Sequence, residues 1–350
     1  MRRVFQLVPF LEPGDAIGNH ARRFAAALGP AHGGYIVERA SGEHARTATP
    51  FTRAEVDPDD VLVYHVAHSS RLGDWLAGVK AIKVIDYHNI TPPEFYRAYD
   101  PGLAVALGRA LGELESLRSE VALALAHSEY SRRELGAMGF VPTAAVPVLL
   151  DFSRLDGAGA PVPEALRGAG PGREDLLFVG RVAPHKRIED VVKVFALYRR
   201  VWAPGARLWL VGRCDSPSYL GALKSFVDRL GVEEVHFLGA VPDGELAASY
   251  RSAGVLLSMS EHEGFGAPLL EAMHLGLPVV AYAAAAVPET VGVAGVLLRE
   301  KRYEEVAALV HLVVGDERLR TSLVESGRAR AGEFRPERHE GRIRELIGAL

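Results

Sequence analysis

Strand-like and helix-like patterns alternate along nearly the whole chain, and this alternation is the strongest constraint on its fold. In the first half, short apolar runs predict strands at Val4–Pro9, Val61–His65, Ile82–Asp86, Leu123–His127 and Ala144–Val148. The second half repeats the scheme, with strands predicted at Leu176–Val179, Arg207–Gly212, Val235–Leu238, Gly254–Met259, Pro278–Ala281 and Gly295–Leu298. Helices between consecutive strands imply parallel sheets that are covered on both faces. The sequence therefore predicts an α/β protein built from Rossmann-like, doubly wound parallel sheets.

The length of 350 residues suggests two such domains, each able to bury its own core. The segment Asp156–Asp175 is rich in Gly, Pro and Ala and has little periodicity, so it is the predicted linker. We predict a first domain over residues 1–160 and a second over residues 161–334. Apolar positions at helical spacing predict a last helix within Arg335–Leu350.

Composition describes a soluble globular protein and narrows its partners. With 48% hydrophobic residues and a net charge of −4, the chain has no strongly basic balance for a nucleic-acid partner. Its longest apolar runs fall short of the roughly 20 residues that a membrane span needs. The first residues predict a β-strand rather than a signal peptide, because they lack a long apolar core. The single cysteine, Cys214, precludes an intrachain disulfide and favours a reducing cytoplasm.

Two carboxylates, Glu263 and Glu271, stand eight residues apart on either side of a predicted strand-to-helix turn. Between them the turn carries the triplet Gly264, Phe265 and Gly266. In open α/β sheets such turns bind ligands, and the free amides at a helix start favour phosphate. Carboxylates accept hydrogen bonds from hydroxyl groups, so the layout suits a nucleotide sugar. The plainer alternative for Glu271 is a solvated helix face.

A second charged cluster follows the predicted strand Leu176–Val179, where Arg181 and Lys186 precede a predicted helix. Two cations at the carboxyl end of a strand are well placed to hold a diphosphate. Taken alone, the pair is as compatible with an exposed surface. The carboxylate pair farther along the same run of βα units favours the binding interpretation.

The first half offers weaker candidates. Gly14, Asp15 and Gly18 form a glycine-spaced loop before a helix predicted to begin near Asn19, where a ligand can approach the backbone closely. The spacing differs from the GxGxxG dinucleotide fingerprint, which disfavours a dehydrogenase. His88 follows the predicted strand Ile82–Asp86 and is interpreted either as a group in the site or as a buried or capping histidine.

Taken together, these residues resemble glycosyltransferase family 4, whose members are retaining enzymes of the GT-B fold. The E-x7-E element of that family matches Glu263 to Glu271, and its basic pair matches Arg181 and Lys186. Its glycine loop matches Gly14 to Gly18 and its cleft histidine matches His88; Pro147–Phe152 loosely echoes its interdomain segment. The resemblance extends to a subgroup that builds bacterial surface polysaccharides. It departs where Ala285, Ala286 and Val287, rather than glycines, precede Pro288–Glu289.

The resemblance implies two Rossmann-like domains facing across a cleft, the first binding the acceptor and the second the nucleotide sugar. The last helix, within residues 335–350, would pack back on the first domain and tether the two lobes. The implied reaction is transfer of a sugar, with retention, from GDP-mannose or a UDP-sugar to a hydroxyl acceptor. That acceptor would be a glycan, a lipid-linked glycan or a small molecule, and the enzyme would be cytoplasmic, in contact with the inner face of the cell membrane where the acceptor is lipid-linked.

The resemblance also implies a role for each charged residue. Arg181 and Lys186 would stabilise the departing diphosphate, and Glu263 would hold the hydroxyls of the donor sugar. Glu271 would hold the ribose, and His88 would hydrogen-bond the sugar. The cationic pair takes the place of a metal, so neither a metal nor a cofactor is expected; the acidic run Asp57–Asp60 predicts a turn.

Two alternatives remain open from the sequence. A GT-B-type nucleotide-sugar epimerase would act on the same donor and would need no acceptor. A catalytically inactive nucleotide-sugar-binding protein would keep the fold and lose turnover. The oligomeric state, the donor base and the linkage formed have no readable signal in the sequence.

Overall fold

The computed structural model describes residues 2–12, 15–157 and 174–350. The chain divides into two units. The first comprises Met1–Arg97, Pro101–Asp151 and Phe334–Leu350, and the second comprises Ala98–Asp100 and Phe152–Glu333. The first unit's segment before the linker thus ends at Asp151, nine residues before the predicted end at 160, and most of the predicted linker lies outside the described residues.

The strands are numbered in chain order: β1 (Val4–Leu11), β2 (His32–Ala40), β3 (Ala48–Pro50), β4 (Val61–Val66), β5 (Ile82–Tyr87), β6 (Val121–Ala126), β7 (Thr143–Ala145), β8 (Leu176–Val179), β9 (Leu208–Val211), β10 (Val235–Gly239), β11 (Val255–Ser258), β12 (Val279–Tyr282) and β13 (Val296–Leu298). The α-helices are α1 (Ala16–Leu28), α2 (Arg71–Gly78), α3 (Pro101–Ser116), α4 (Glu129–Ala137), α5 (Ser153–Asp156), α6 (Ile188–Val201), α7 (Pro217–Leu230), α8 (Asp243–Ser252), α9 (Ala267–His274), α10 (Val287–Val291), α11 (Tyr303–Gly315), α12 (Glu317–Glu333) and α13 (Glu340–Gly348).

The first unit is built on a seven-stranded parallel sheet with the order β3-β2-β1-β4-β5-β6-β7. The order reverses between β1 and β4, which pair from Val4 opposite Val61 to Leu7 opposite Tyr64. Both central strands are buried almost throughout, as expected for strands that are covered on two faces.

The second unit is built on a six-stranded parallel sheet with the order β10-β9-β8-β11-β12-β13. Here the order reverses between β8 and β11, and Leu176 lies opposite Val255. The prediction of two doubly wound parallel sheets is therefore confirmed. The predicted strands of this half agree with the observed bounds to within two residues.

The sequence prediction omitted two strands of the first sheet, β2 and β3. Strand β2 begins His32-Gly33-Gly34, and paired glycines usually indicate a turn. In the structure the Phe5 ring lies over Gly33, where an added Cβ would stand 3.0 Å from that ring. Glycine at this position therefore allows close packing against β1, a long-range contact that local pattern does not reveal.

The last helix, α13, belongs to the first unit and packs against α1. Ile343 and Ile347 are buried in one apolar cluster with Phe24 and Leu28 of α1. The guanidinium of Arg344 donates a hydrogen bond of 2.9 Å to the carbonyl of Ala27, which fixes the register of the two helices.

In the part of the chain that the structure describes, no helix has both the length and the apolar character to cross a membrane. The acidic run at Asp57–Asp60 forms a turn, as predicted. The Asp60 amide donates to the Asp57 carbonyl at 3.0 Å, and Arg3 bridges the two carboxylates at 2.8 Å and 2.6 Å.

Candidate functional site

The candidate site lies where the second sheet reverses its strand order, at the carboxyl ends of β8 and β11. Ligands of open α/β sheets bind at this position because the helices that follow the two strands lie on opposite faces and leave a crevice. Arg181 and Lys186 follow β8, and Glu263 follows β11. The placement of Glu263 in the loop after a strand, and of Glu271 as the fifth residue of α9, agrees with the sequence prediction.

Lys186 and Glu263 form a direct ion pair at the centre of this site. The ammonium Nζ lies 2.6 Å from Glu263 Oε1, and the two side chains are only 12% and 14% exposed. Burial lowers the pKa of Lys186, and the neighbouring Glu263 carboxylate opposes that shift. Lys186 and Glu263 are therefore in contact, although they stand far apart in the sequence. The sequence analysis gave them different partners, the diphosphate for Lys186 and the sugar for Glu263.

Arg181 lies at the rim of the same strand end. Its guanidinium is 51% exposed and donates a hydrogen bond of 2.8 Å to Asp215, which follows β9. The close approach of these strand ends depends on Gly212, where an added Cβ would stand 1.9 Å from the Gly180 carbonyl oxygen. Asp215 was not identified from the sequence, since a single acidic residue after a strand carries no specific signal.

Glu271 is 6% exposed, which excludes the solvated helix face that the sequence left open. One carboxylate oxygen pairs with the guanidinium of Arg154 on α5, and the other accepts a hydrogen bond of 2.8 Å from the Tyr250 hydroxyl. Arg154 also pairs with Asp243 at the start of α8. Both carboxylate oxygens of Glu271, the residue predicted to bind the ribose, therefore already contact protein groups.

Breaking this pair is expected to destabilise the second unit. Removing one partner of a fully buried ion pair costs about 3–5 kcal/mol. The Arg154 side chain is 26% exposed, so we expect Arg154→Gln to lower the free energy of unfolding by about 2–3 kcal/mol. Urea denaturation measures this change. Arg302→Gln is the matched control, because Arg302 pairs at an exposed position and should cost under about 1 kcal/mol; equal effects of the two substitutions would refute a stabilising role of Arg154.

The triplet Gly264, Phe265 and Gly266 forms the entry to α9. Gly266 caps the helix with a left-handed backbone (φ 90°), a conformation that favours glycine. Phe265 is 7% exposed, and its carbonyl accepts a hydrogen bond from the Thr290 hydroxyl. The aromatic ring is therefore a buried anchor for the turn. Because the Phe265 ring is buried, the backbone at the start of α9 is the surface that a phosphate can approach.

A second set of ion pairs, which the sequence did not reveal, joins the loops that carry Lys186 and Glu263. Glu261 accepts from Arg187 at 2.7 Å and from Lys301 at 2.9 Å, and Lys301 also lies 2.9 Å from Asp190. Arg187 adopts a left-handed backbone (φ 50°), which costs energy for a residue with a side chain. These contacts fix the two loops relative to each other within the unit.

In the first unit the glycine-rich segment is partly helical. Helix α1 begins at Ala16, three residues before the predicted start, so Gly18 lies in its first turn rather than in a loop. The Asp15 carboxylate caps α1 by accepting from the Gly18 amide at 2.7 Å. Gly18 is buried beside Leu11, 3.1 Å from where its Cβ would stand. Gly14 lies outside the described residues.

The His88 side chain is 7% exposed, and its role in the site remains a prediction. It belongs to a group of imidazoles around the carboxylate of Asp86, which is 1% exposed. The carboxylate oxygen Oδ2 lies 2.8 Å from His65 Nδ1, 3.1 Å from His20 Nε2 and 3.3 Å from His88 Nε2. His127 Nε2 faces the other oxygen at 3.4 Å. We call these five residues the histidine cluster.

Burial determines the protonation of this cluster. It lowers the pKa values of His65 and His88, and it lowers the pKa of His127 to about 4. Although burial itself favours a protonated carboxyl, the surrounding imidazoles, His127 and His20 above all, hold the pKa of Asp86 well below its usual range. At neutral pH the centre therefore carries an ionised carboxylate.

Residues 167–330 match the family described as Glycosyl transferases group 1. O-antigen chain mannosyltransferase B of Escherichia coli is 29% identical over 167 residues, which cover 45% of this chain and 41% of that protein. A D-inositol 3-phosphate glycosyltransferase of Actinosynnema mirum is 30% identical over 260 residues, which cover 69% and 61% of the two chains. The chain thus spans less than two thirds of the length of these relatives.

Among solved structures, Anabaena HepE in complex with UDP and glucose superposes over 100% of both chains, with a TM-score of 0.77 and 18% identity. A likeness at this level of identity establishes the fold alone. Together with the two sheets described above, it identifies the architecture as GT-B. The match to group 1 glycosyl transferases falls on the unit that carries Lys186, Glu263 and Glu271.

Proposed function

We propose that this protein is a retaining glycosyltransferase of family 4 that moves a sugar from a nucleoside diphosphate sugar to a hydroxyl acceptor. The observation that carries the proposal is the Lys186–Glu263 pair at the strand-order reversal of the second sheet. It lies within the segment that matches the group 1 glycosyl transferases. An ammonium and a carboxylate held side by side offer complementary partners for a phosphate and for sugar hydroxyls.

Cleavage of the bond between the sugar and the diphosphate places negative charge on the leaving group. Lys186 lies in a largely buried position, where an ammonium interacts more strongly with that charge than it would in water. Arg181, which is half exposed, adds a guanidinium fork that suits a phosphate. The start of α9 near Gly266 contributes the positive end of the helix dipole and the Ala267 amide, since Pro268 has no amide hydrogen and the Leu269 amide donates to the Gly266 carbonyl.

The two glutamates hold the ends of the donor in this proposal. Glu263 accepts hydrogen bonds from hydroxyls of the sugar, and the ion pair orients its carboxylate before the donor arrives. Glu271 accepts from the ribose while Arg154 and Tyr250 fix its position. His88, Gly14, Asp15 and Gly18 remain predictions for the first unit, which we propose binds the acceptor.

The relatives support a range of donors and acceptors rather than one. One of them is named a mannosyltransferase and another an inositol 3-phosphate glycosyltransferase, and HepE is described with UDP and glucose. We propose GDP-mannose or a UDP-sugar as the donor and a glycan or lipid-linked glycan as the acceptor, in the cytoplasm.

A panel of donors tests this function. The protein is heated with GDP-, UDP-, ADP- and dTDP-sugars in turn, and the donor that raises the melting temperature is then incubated with and without candidate acceptors. Transfer that requires an acceptor and keeps the anomeric configuration supports the proposal. An epimer formed from the donor alone supports an epimerase, and binding without turnover supports an inactive binding protein.

We expect nucleotide binding to be independent of divalent metal, because Lys186, Arg181 and the amides of α9 already meet the diphosphate charge. The dissociation constant for UDP or GDP should change less than about twofold when EDTA replaces Mg²⁺ or Mn²⁺, since cationic side chains rather than a bound ion provide the counter-charge. Calorimetric titration in the three buffers measures this. Binding that disappears in EDTA and returns with either metal would contradict the expectation.

A further inference from the structure

The histidine cluster has more buried polar atoms than its own hydrogen bonds can satisfy. Within the described residues, Asp86 Oδ2, His20 Nε2 and His127 Nε2 are fully buried and make no hydrogen bond of normal geometry. Both nitrogens lie beside the Asp86 carboxylate, His20 Nε2 at 3.1 Å from Oδ2 and His127 Nε2 at 3.4 Å from Oδ1. Buried polar groups are almost always satisfied, so the cluster is a place where a further partner can bind.

The outer contacts of each ring determine which nitrogen carries a proton. The Leu149 amide donates to His20 Nδ1 at 3.0 Å, so the proton of neutral His20 is on Nε2. His65 Nε2 lies 2.7 Å from the side-chain amide oxygen of Gln6, and the tautomer that donates to this oxygen turns the lone pair of Nδ1 toward the cluster. In that tautomer the lone pair lies 2.8 Å from Asp86 Oδ2, and a cation between these two acceptors would stabilise the arrangement.

The inner atoms lie close enough together to form a metal ligand set. His65 Nδ1, His88 Nε2 and Asp86 Oδ2 are separated by 2.8, 3.0 and 3.3 Å. Ligands at about 2.0–2.1 Å from a tetrahedral Zn²⁺ ion stand about 3.3–3.4 Å from one another. A small outward movement of these rings therefore admits an ion.

We propose that His65, Asp86 and His88 bind a divalent transition-metal ion, of which Zn²⁺ suits the nitrogen and oxygen donors and the spacing. Gln6 accepts the outer N–H of His65, the usual arrangement behind a metal-binding imidazole. His20 is not a ligand, because its lone pair is used by the Leu149 amide; it orients Asp86 instead. The residues that would hold the ion all belong to the first unit.

The role of His88 in sugar binding is compatible with this site. Coordination through Nε2 places the ring proton on Nδ1, which then remains as a donor for a hydroxyl group. The ion would also neutralise the buried carboxylate and link strands β4 and β5, which hold His65 opposite Asp86 in the sheet register.

The test uses the full chain, produced without a histidine tag and without nucleotide, so that its result does not depend on the proposed transfer activity. Metal content is measured after equilibration with Zn²⁺ and gel filtration, and the Co²⁺-loaded protein is examined by visible absorption. We expect one equivalent of Zn²⁺, a rise in melting temperature with Zn²⁺, and intense d–d bands of four-coordinate Co²⁺. Absence of stoichiometric metal and an unchanged melting temperature would overturn the proposal.

Three variants locate the ion. His65→Gln and His88→Gln should each lower Zn²⁺ affinity more than about 100-fold, and Gln6→Met should lower it about 10–100-fold because it removes only the outer hydrogen bond. His68→Gln is the matched control, since His68 lies in the same unit outside the cluster. Stoichiometric Zn²⁺ retained by both ligand variants would place the ion elsewhere and overturn the assignment. The Co²⁺ spectrum of the unmodified chain decides the matter if a ligand variant does not fold.

Discussion

Replacing Lys186 by glutamine is expected to lower turnover of the donor by about 10²–10³ at saturating donor, as removal of one transition-state donor typically does. The charge that Lys186 meets grows as the glycosyl–phosphate bond breaks, so the loss should fall on kcat more than on KM. Glutamine keeps a hydrogen bond to Glu263, which avoids leaving that largely buried carboxylate without a partner. Release of nucleoside diphosphate from the donor identified in the panel measures the effect.

Lys193→Gln provides the control for this substitution. Lys193 lies on α6 of the same unit and is likewise paired with a carboxylate, Asp190, at 2.9 Å. It is not at the carboxyl end of a strand, so its replacement should leave kcat within about twofold, as expected for a group that does not meet the developing charge. Near-normal kcat in the Lys186 variant, or equal losses in the two, would remove Lys186 from the mechanism.

Ile343→Ala is expected to lower the free energy of unfolding of the first unit by about 2–5 kcal/mol, the usual cost of truncating a fully buried isoleucine. Ile343 is 0% exposed and packs among residues of α1 and the sheet, so the last helix is part of this core. A loss of this size is a large part of the stability of an ordinary domain. Chemical denaturation followed by circular dichroism measures it.

Arg342→Ala, on the exposed face of the same helix, tests whether packing is the cause. Arg342 is 49% exposed on its side chain and pairs with Glu345, so its loss should change stability by less than about 0.5 kcal/mol. If Ile343→Ala were as mild as Arg342→Ala, α13 would be a dispensable tail. The predicted tether between the lobes would then have no structural basis at this end.

Local pattern was sufficient to place the residues of the β11–α9 turn. The apolar run before Glu263 and the apolar positions around Glu271 have different periods, and those periods define the strand, the loop and the helix. The doubly wound order that alternation predicts also brings the ends of β8 and β11 together. The contact between Lys186 and Glu263 was therefore implicit in the predicted fold, although the sequence gives no distance.

The partners of Glu271 had no readable signal. Arg154 stands 117 residues before Glu271, on a four-residue helix, and an arginine in such a segment is ordinarily exposed. The start of α1 was misplaced for a different reason. Asp15 caps the helix through the Gly18 amide, and the glycine that suggested a loop instead packs closely against Leu11.

The histidine cluster was only partly visible in the sequence. His65 and Asp86 lie at the ends of predicted strands, and parallel strands bring their carboxyl ends to one edge of a sheet. The pairing of β4 with β5 in this register is a tertiary fact, and so is the contribution of His20 from α1. A histidine lies at or just after the end of each of three successive predicted strands. The sequence analysis did not consider these three histidines together.

The central claim is that the strand-end site of the second unit binds the diphosphate of a nucleotide. Calorimetric titration of UDP, UMP, GDP and GMP into the unmodified chain and Lys186→Gln tests it most directly. We predict that the diphosphate of the preferred base binds at least about tenfold more tightly than its monophosphate, which is about 1.4 kcal/mol. This advantage should be lost in the Lys186 variant. Equal affinity for mono- and diphosphates, or an advantage that survives the substitution, would contradict the claim.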